Sequence, residues 1–488
     1  WVSDSTALLK LLEARQKRGI LKVGQPYSLS NISSERDQLD LYLKTKGYYY
    51  FSPDYLMAYA DSTIGNRQID LYLNVKKTTP DAAMHPYKIN KIVVYPNYSL
   101  VSTQLDTNIL GAIKYDGLHI KDSAKKFKPR LFAFTITYRP GRLYNSRSQN
   151  STLNRFINLG AFKFVKNRFD PVVDSGDIYR LNVYYYLTPA KKKSFQGEVN
   201  AFTKENNSLG AQLSANWKNR NLFKGAELLT IKAYTGFEVS IADSLRNNNS
   251  YRIGGEASIR FPRYAVPFLR IKENNFYPPN TNLLLGYELY RKQLLYTKNL
   301  FRLQYDFTWK KNILAPLSIS YLNASSITDS FYNQAVVTPA ILLNVYSEAI
   351  LGSYFSYTYN NAQGRRKNKF YFNASIDLSG NLAGLITGAK RYRQKTIFNT
   401  PFAQYVKTDF DLHYTRALSN KWDWANRLQV GIGLPYSNSA LLPFAKQYII
   451  GGSSSIRGFR VRNLGPGTHK PSADDQRFFQ IIGGDYKF

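Results

Sequence analysis

His85, His119, His413 and His469 are the nitrogen ligands a metal could use, and their separations match no metal-ligand spacing. Cysteine is absent, which removes thiolate metal sites, disulfides and a Cys nucleophile. Asp409 and Asp411 stand two residues apart, so on a strand both carboxylates share one face. Paired carboxylates can do acid–base work, but a wetted strand face accounts for them equally well. Gly431-Ile432-Gly433 opens like a dinucleotide-binding turn, lacks the third glycine and lies within a strand-like run. No G-x-S-x-G elbow or P-loop occurs. These residues point away from an enzyme, and no cofactor or metal is expected.

One segment is ordered beyond what a surface loop requires: Gly451-Gly452-Ser453-Ser454-Ser455-Ile456-Arg457-Gly458-Phe459-Arg460, followed by a Gly/Pro-rich stretch at 463–467. Its glycines permit a tight fold-back. A lone Arg457 between Ile456 and Phe459 suits burial inside a lumen, where its charge would need a carboxylate partner. A flexible loop with an incidental arginine is the plainer alternative.

The elements that would position this segment are long strands. From residue 191 onward helical periodicity disappears and alternating segments run to the end. Leu209, Ala211, Leu213, Ala215 and Trp217 alternate with Gln212, Ser214, Asn216 and Lys218. Phe301, Leu303, Tyr305, Phe307 and Trp309 do so against Arg302, Gln304, Asp306, Thr308 and Lys310. A soluble β-sandwich or propeller would alternate in the same way. Length separates the readings, because soluble strands average about 5–6 residues whereas ~9–11 tilted residues cross a bilayer. About eleven such strands fit between residues 195 and 436, and a twelfth opens near Ile481. Aromatic residues at the segment ends (Trp217, Trp309, Tyr414, Trp422, Trp424) suit interfacial girdles, and Glu256, Asp306, Asp377, Asp409 and Asp411 suit a polar lumen. Mean hydropathy of −0.38 does not oppose a barrel, whose two faces average out.

The first ~190 residues have a different texture and repeat one layout. Gly24-Gln25-Pro26-Tyr27 leads into a helix-like stretch and then Gly47-Tyr48-Tyr49-Tyr50-Phe51. Gly141-Arg142-Leu143-Tyr144 leads in the same way to Gly160-Ala161-Phe162-Lys163-Phe164. Asn31 is the expected N-cap of the first helix, Ile32, Leu39 and Leu43 its apolar face, and Gly47 its stop. Strands follow with Ile69, Leu71, Leu73 and Val75 on one face, and Tyr179, Leu181, Val183 and Tyr185 on another; a further strand runs from Tyr87 to Val94. A small α+β module of this kind can offer an edge strand to a partner, and a generic α+β domain fits equally.

Sixty-six basic against 33 acidic residues give a net charge of +33. Such an excess favours anionic partners. It is spread along the chain without a nucleic-acid motif, so lipid head groups or a solvated surface are preferred to nucleic acid.

The Ile456-Arg457-Gly458-Phe459 tetrad after Gly451-Gly452 resembles the V/I-R-G-F/Y signature of the BamA/TamA superfamily of outer-membrane assembly proteins (surface-antigen type). That resemblance implies α+β periplasmic POTRA domains followed by a transmembrane antiparallel β-barrel of about sixteen strands in a Gram-negative outer membrane. The tetrad would sit on the loop between strands eleven and twelve, folded back into the lumen. The run of the chain is most similar to the TamL branch of Bacteroidota, through residues 24–31, 55–61 and 219–227. The expected domains are 1–80, POTRA-like and incomplete at its N-terminus; 81–190, a second POTRA-like domain; and 191–488, a barrel lacking its last strands. The implied function is assembly and insertion of outer-membrane proteins through a laterally gated barrel, as in a translocation and assembly module. A passive channel or two-partner-type secretion pore is the alternative. Phe195, Gly197, Val199 and Ala201 mark the candidate gate strand. The implied partners are nascent outer-membrane proteins, a periplasm-spanning TamB-like protein or other assembly subunits, and outer-membrane lipid and lipopolysaccharide.

Overall fold

A computed structural model describes all residues except 1–5, 17, 101–106, 173–178, 205–207, 241–248, 267–278, 330, 333–344, 363–365, 391–392, 420, 450–457, 459–484 and 488. Two compact units result, one mainly Trp1–Lys192 and one mainly 193–488.

The first unit opens with helices α1 (Thr6–Gln16) and α2 (Leu29–Lys44) and the hairpin β1 (Leu56–Asp61) and β2 (Asp70–Val75). Leu8, Leu12, Leu39, Leu43, Phe51 and Leu56 form their core. Ser28, not Asn31, caps α2. Its extended backbone lets Oγ accept the Asn31 N–H, so Asn31 already lies in the first turn. Ile69 falls just before β2, while Leu73 is buried as its position predicts. After the short α3 (Asp81–Met84) come β3 (Lys88–Tyr95), β4 (Ile113–Tyr115), β5 (Leu118–Ile120), α4 (Pro129–Thr135), α5 (Ser146–Asn158), β6 (Phe162–Val172) and β7 (Arg180–Pro189). The sheet order is β4-β5-β3-β7-β6, with β3 parallel to β7. Leu181, Val183 and Tyr185, on one face of β7 as the alternation requires, are buried with Phe132 of α4 and Phe156 of α5. Helix α1 and the β4–β5 hairpin were not legible in the sequence pattern.

The second unit is built on one antiparallel sheet. Its strands are β8 (Lys193–Lys204), β9 (Ser208–Asn219), β10 (Leu228–Ser240), β11 (Ser250–Phe261), β12 (Asn280–Lys292), β13 (Tyr296–Trp309), β14 (Asn312–Ser325), β15 (Glu348–Asn360), β16 (Asn368–Ser379), β17 (Thr396–Ile397), β18 (Thr400–Ala403), β19 (Tyr405–Ala417), β20 (Asp423–Pro435) and β21 (Asp485–Lys487). Each long strand pairs with the next along the path from β8 to β21; only β17 and β18 lie off it. The eleven long strands run 12–14 residues. Among the described residues β8 pairs with β9 alone, and no pairing joins β8 to β21. Helical structure does not vanish after residue 191, as the periodicity had suggested: α6 (Asn381–Thr387) lies between β16 and β19. Seven residues are too few for a 3.6-residue period to stand out. Pro316 sits inside β14, where the register shifts between Ala315 and Ser318; the bulge absorbs a residue that has no N–H to donate.

The two faces of this sheet differ in kind. Val199, Leu213, Phe237, Ile253, Leu285 and Ile432 belong to an exposed face that runs from β8 to β20. A water-soluble sheet buries its apolar face, so this exposure suits hydrocarbon and not water. The opposite face is polar and cross-braced. Arg252 passes Gly236 to reach Gln212 at 2.9 Å, and Arg302 passes Gly286 to reach Glu256 at 2.5 Å. Tyr234 lies across Gly254 to donate to Glu288 at 2.6 Å. A Cβ at position 254 would overlap the Tyr234 ring.

Gly254→Val is therefore expected to destabilise the sheet by about 1–3 kcal/mol through overpacking. Adding Tyr234→Ala should make the double substitution cost less than the sum of the two singles, read by urea unfolding in lipid. Strict additivity would remove the packing argument.

Candidate functional site

Three of the carboxylates that alternation places on the wet face gather on β16 and β19, and each of these three meets a cation. Asp411 accepts two bonds from Arg427, at 3.0 and 3.1 Å, and lies 2.9 Å from His413 Nε2. Asp409 faces Lys407 at 3.5 Å. Asp377 holds Lys446 at 2.7 Å and accepts from the Tyr405 hydroxyl at 3.3 Å. Asp409 and Asp411 share a face, as their spacing requires, and their partners are those of a braced wall. Glu256 and Asp306 lie on the same polar face, the latter accepting from Asn282 at 2.8 Å.

Lys446 reaches that face because the chain turns back after β20. Residues 436–449 run from the strand end along the polar side of the sheet. Leu442 covers Gly433, and farther in the Tyr448 ring covers Gly431. A side chain at either glycine would occupy the space of its partner. The Tyr448 hydroxyl donates to the Thr408 carbonyl at 3.0 Å, and Lys407 Nζ stands 4.2 Å from the centre of the ring. Gly431-Ile432-Gly433, which resembled a broken nucleotide turn, is thus a bare strip of strand on which the returning segment lies. On β20 Ile432 faces the apolar side and both glycines the polar one, and what the glycines are for needs the tertiary contact.

Asn438 locks the turn that starts this return. Its side-chain amide donates to the carbonyls of Lys395 and Phe402, at 3.0 and 2.8 Å, and its Oδ1 accepts the Lys395 N–H at 2.7 Å. No sequence signal marked it. The tetrad residues Ile456, Arg457 and Phe459, with Gly451 and Gly452, lie outside the described residues; Gly458 is an exposed turn residue. The described chain leads to that segment from a position on the polar face. Phe195, Gly197, Val199 and Ala201 all lie on β8 and all are exposed.

The first unit has a second feature. A groove between α2 and β1 is lined by Leu29, Ile32 and Arg36 on one side and Leu56, Met57 and Ala58 on the other. β1 pairs only with β2 among the described residues, which leaves its other edge without a strand partner there. Elsewhere in the unit His85 stacks on Tyr179 at 4.3 Å. Both donate towards Asp81, and the Tyr179 hydroxyl, then the His85 ring, hold that carboxyl below its usual range. His119, partly desolvated beside Lys114 and Lys91, is held below the usual imidazole value. No group of three or more His, Asp or Glu side chains suited to a metal ion occurs among the described residues, and His469 lies outside them.

Asp377→Asn is expected to loosen the returning segment by about 1–3 kcal/mol, the worth of a hydrogen bond to a charged group. Trypsin should then cut at Lys446 faster in the folded protein while the β-sheet signal in circular dichroism stays unchanged. Equal protection in both proteins would refute the anchoring.

A profile of the Omp85 superfamily domain matches residues 198–488, more than half of the chain. Among solved structures, BamA from Haemophilus ducreyi lacking POTRA domains 1–3 is 14% identical with a TM-score of 0.49, covering 95% of this chain and 75% of that one. CdiB from Acinetobacter baumannii is 11% identical with a TM-score of 0.43, covering 94% and 70%. CdiB from Escherichia coli is 10% identical with a TM-score of 0.42, also covering 94% and 70%. No curated protein sequence matches the chain. The profile takes in the large sheet from Glu198 within β8 onward, with its apolar face, its braced polar face and the tetrad-bearing segment: the chain belongs to the Omp85 superfamily of outer-membrane β-barrel proteins.

Proposed function

We propose that this protein assembles and inserts other outer-membrane proteins, taking clients through POTRA-like domains and passing them to a laterally opening barrel. The observation that carries the proposal is the match of residues 198–488 to the Omp85 superfamily domain, with β8, which opens the large sheet and exposes Phe195 and Val199, as the candidate gate strand. A weakly paired strand edge can template an incoming client strand through main-chain hydrogen bonds. In a barrel of about sixteen strands, as the resemblance implies, β8 would be the first strand and the seam beside it the gate.

The first unit supports the receiving role. Its elements run α-α-β-β and then β-α-α-β-β with one inserted hairpin, the order of two POTRA-like domains at 1–80 and 81–190. The groove between α2 and the free edge of β1 would accept an extended client segment, its backbone on β1 and its apolar side chains against Leu29 and Ile32. These domains then face the periplasm, where a TamB-like spanning protein or other assembly subunits would deliver clients. Residues 24–31, 55–61 and 219–227 resemble the TamL branch, which supports that reading. Lipopolysaccharide and phospholipid of the outer membrane are the remaining partners.

Arg457 would brace the returned loop against the polar face. Arg457→Ala is expected to reduce the yield of folded, heat-modifiable barrel and to fail in complementation; wild-type folding and complementation would remove that role. Depletion of the protein followed by quantitative proteomics of the outer membrane tests the function itself. Selective loss of barrel proteins is expected. An unchanged inventory with altered solute conductance would replace the proposal by a passive channel or secretion pore, for which a polar, ion-paired face is equally suited.

A further inference from the structure

The connection between β16 and β19 carries an apolar surface that no contact among the described residues covers. Helix α6 exposes Leu382, Leu385 and Ile386 at 77, 83 and 82%. These positions, i, i+3 and i+4, form one stripe. An ordinary surface helix turns such a stripe towards the core; α6 turns Gly384 there instead, where a Cβ would meet the Gln404 side chain. The helix is held in that orientation. The Gly380 N–H donates to Leu351 O at 2.8 Å, Ser437 Oγ donates to Ala389 O at 2.9 Å, and the Tyr436 hydroxyl donates to the Asn381 side chain. Rotating the stripe inward would break these contacts.

The hairpin β17–β18 joins this surface to the lipid-facing belt. β18 pairs with β15 just past the point where β16 ends, taking its place in the sheet. The hairpin turn presents Phe398 at 87% exposure. Beside it Tyr321, whose ring lies 6.3 Å from Phe301 of the apolar face, reaches Thr400 Oγ1 at 3.0 Å. The apolar face therefore continues past the strand ends into Phe398. At the other end of the strands, Trp217, Trp309, Trp422 and Trp424 supply the aromatic anchors; no tryptophan occurs between residues 310 and 421.

Charge adds a direction. Residues 380–404 contain no Asp or Glu, and Lys390, Arg393 and Lys395 follow α6 within the same connection. Lys390 and Arg393 are exposed and joined by a backbone bridge. An apolar stripe followed by a cluster of cations is the pattern of a segment lying in a membrane interface, with its apolar side chains at the acyl boundary and its cations at phosphate.

We infer that α6 and the β17–β18 turn form an interfacial anchor: Leu382, Leu385, Ile386 and Phe398 enter the leaflet at this end of the strands, and Lys390, Arg393 and Lys395 bind the anionic phosphates of its lipid head groups. The inference rests on the membrane-barrel reading of the large sheet. Through Asn438, the anchor is also bonded to the turn from which residues 436–449 fold back.

The chain has no cysteine, so single labels can be placed without background. Nitroxides on Leu385→Cys, on Phe398→Cys and, as a control, on Leu285→Cys in the apolar belt would be compared in the full chain. The protein would be reconstituted in vesicles of phosphatidylcholine with or without phosphatidylglycerol. All three labels are expected to meet lipid-soluble oxygen more often than a water-soluble nickel chelate. The labels at 385 and 398 should move deeper when phosphatidylglycerol is present. The charge reversals Lys390→Glu, Arg393→Glu and Lys395→Glu together should abolish that lipid dependence without altering the label at 285. Labels at 385 and 398 as open to the chelate as a water-exposed loop, with 285 still in lipid, would overturn the anchor alone. A water-exposed label at 285 would overturn the membrane reading on which it rests.

Discussion

Inside hydrocarbon a backbone amide has no water to bond to, so every N–H and C=O of a spanning segment must find a partner within the protein. This constraint accounts for the large sheet. Eleven strands of 12–14 residues each pair along their length with a neighbour, and the pairing is antiparallel throughout the main path. Once the backbone is satisfied this way, side chains alternate between two solvents. Ile231, Leu285 and Val430 can be exposed because their medium is lipid, whereas Glu256, Asp377 and Asp411 can be charged because the other face is wet and supplies cations.

The polar face carries the second consequence. A wall of long charged side chains would hold a returning loop away from the strands. Three cross-strand pairs are instead laid flat over glycines, and two further glycines, Gly431 and Gly433, accept Tyr448 and Leu442. Glycine weakens a strand in water; here the loss is offset by aromatic and ionic contacts that cross the gap. Gly431 and Gly433, with Asp377 and the Thr408 carbonyl, set the path of residues 436–449 towards the tetrad segment. Asn438 extends it to the connection that carries α6.

Much of this was legible without coordinates. Alternation over ten or more residues located the long strands and assigned Asp409 and Asp411 to the wet face, because a period of two is a property of the extended chain itself. The buried face of β7 and the helix ending near Gly47 followed from the same local rules. Local rules also misled. Asn31 looked like a cap because it precedes Ile32, but the hydroxyl that receives an amide belongs to Ser28. Helix α6 escaped notice because its apolar stripe is too short to show a period.

The sequence by itself determined which faces of the strands are apolar and that the tetrad at 456–459 follows the eleventh long strand. These are facts of spacing along one chain. Only the tertiary structure decided that residues 436–449 lie along the polar face, that Lys446 answers Asp377 from 69 residues away, that Gly431 and Gly433 form a bed for Tyr448 and Leu442, and that the stripe of α6 points outward. Each depends on what a distant segment places opposite a residue, and no local period records that.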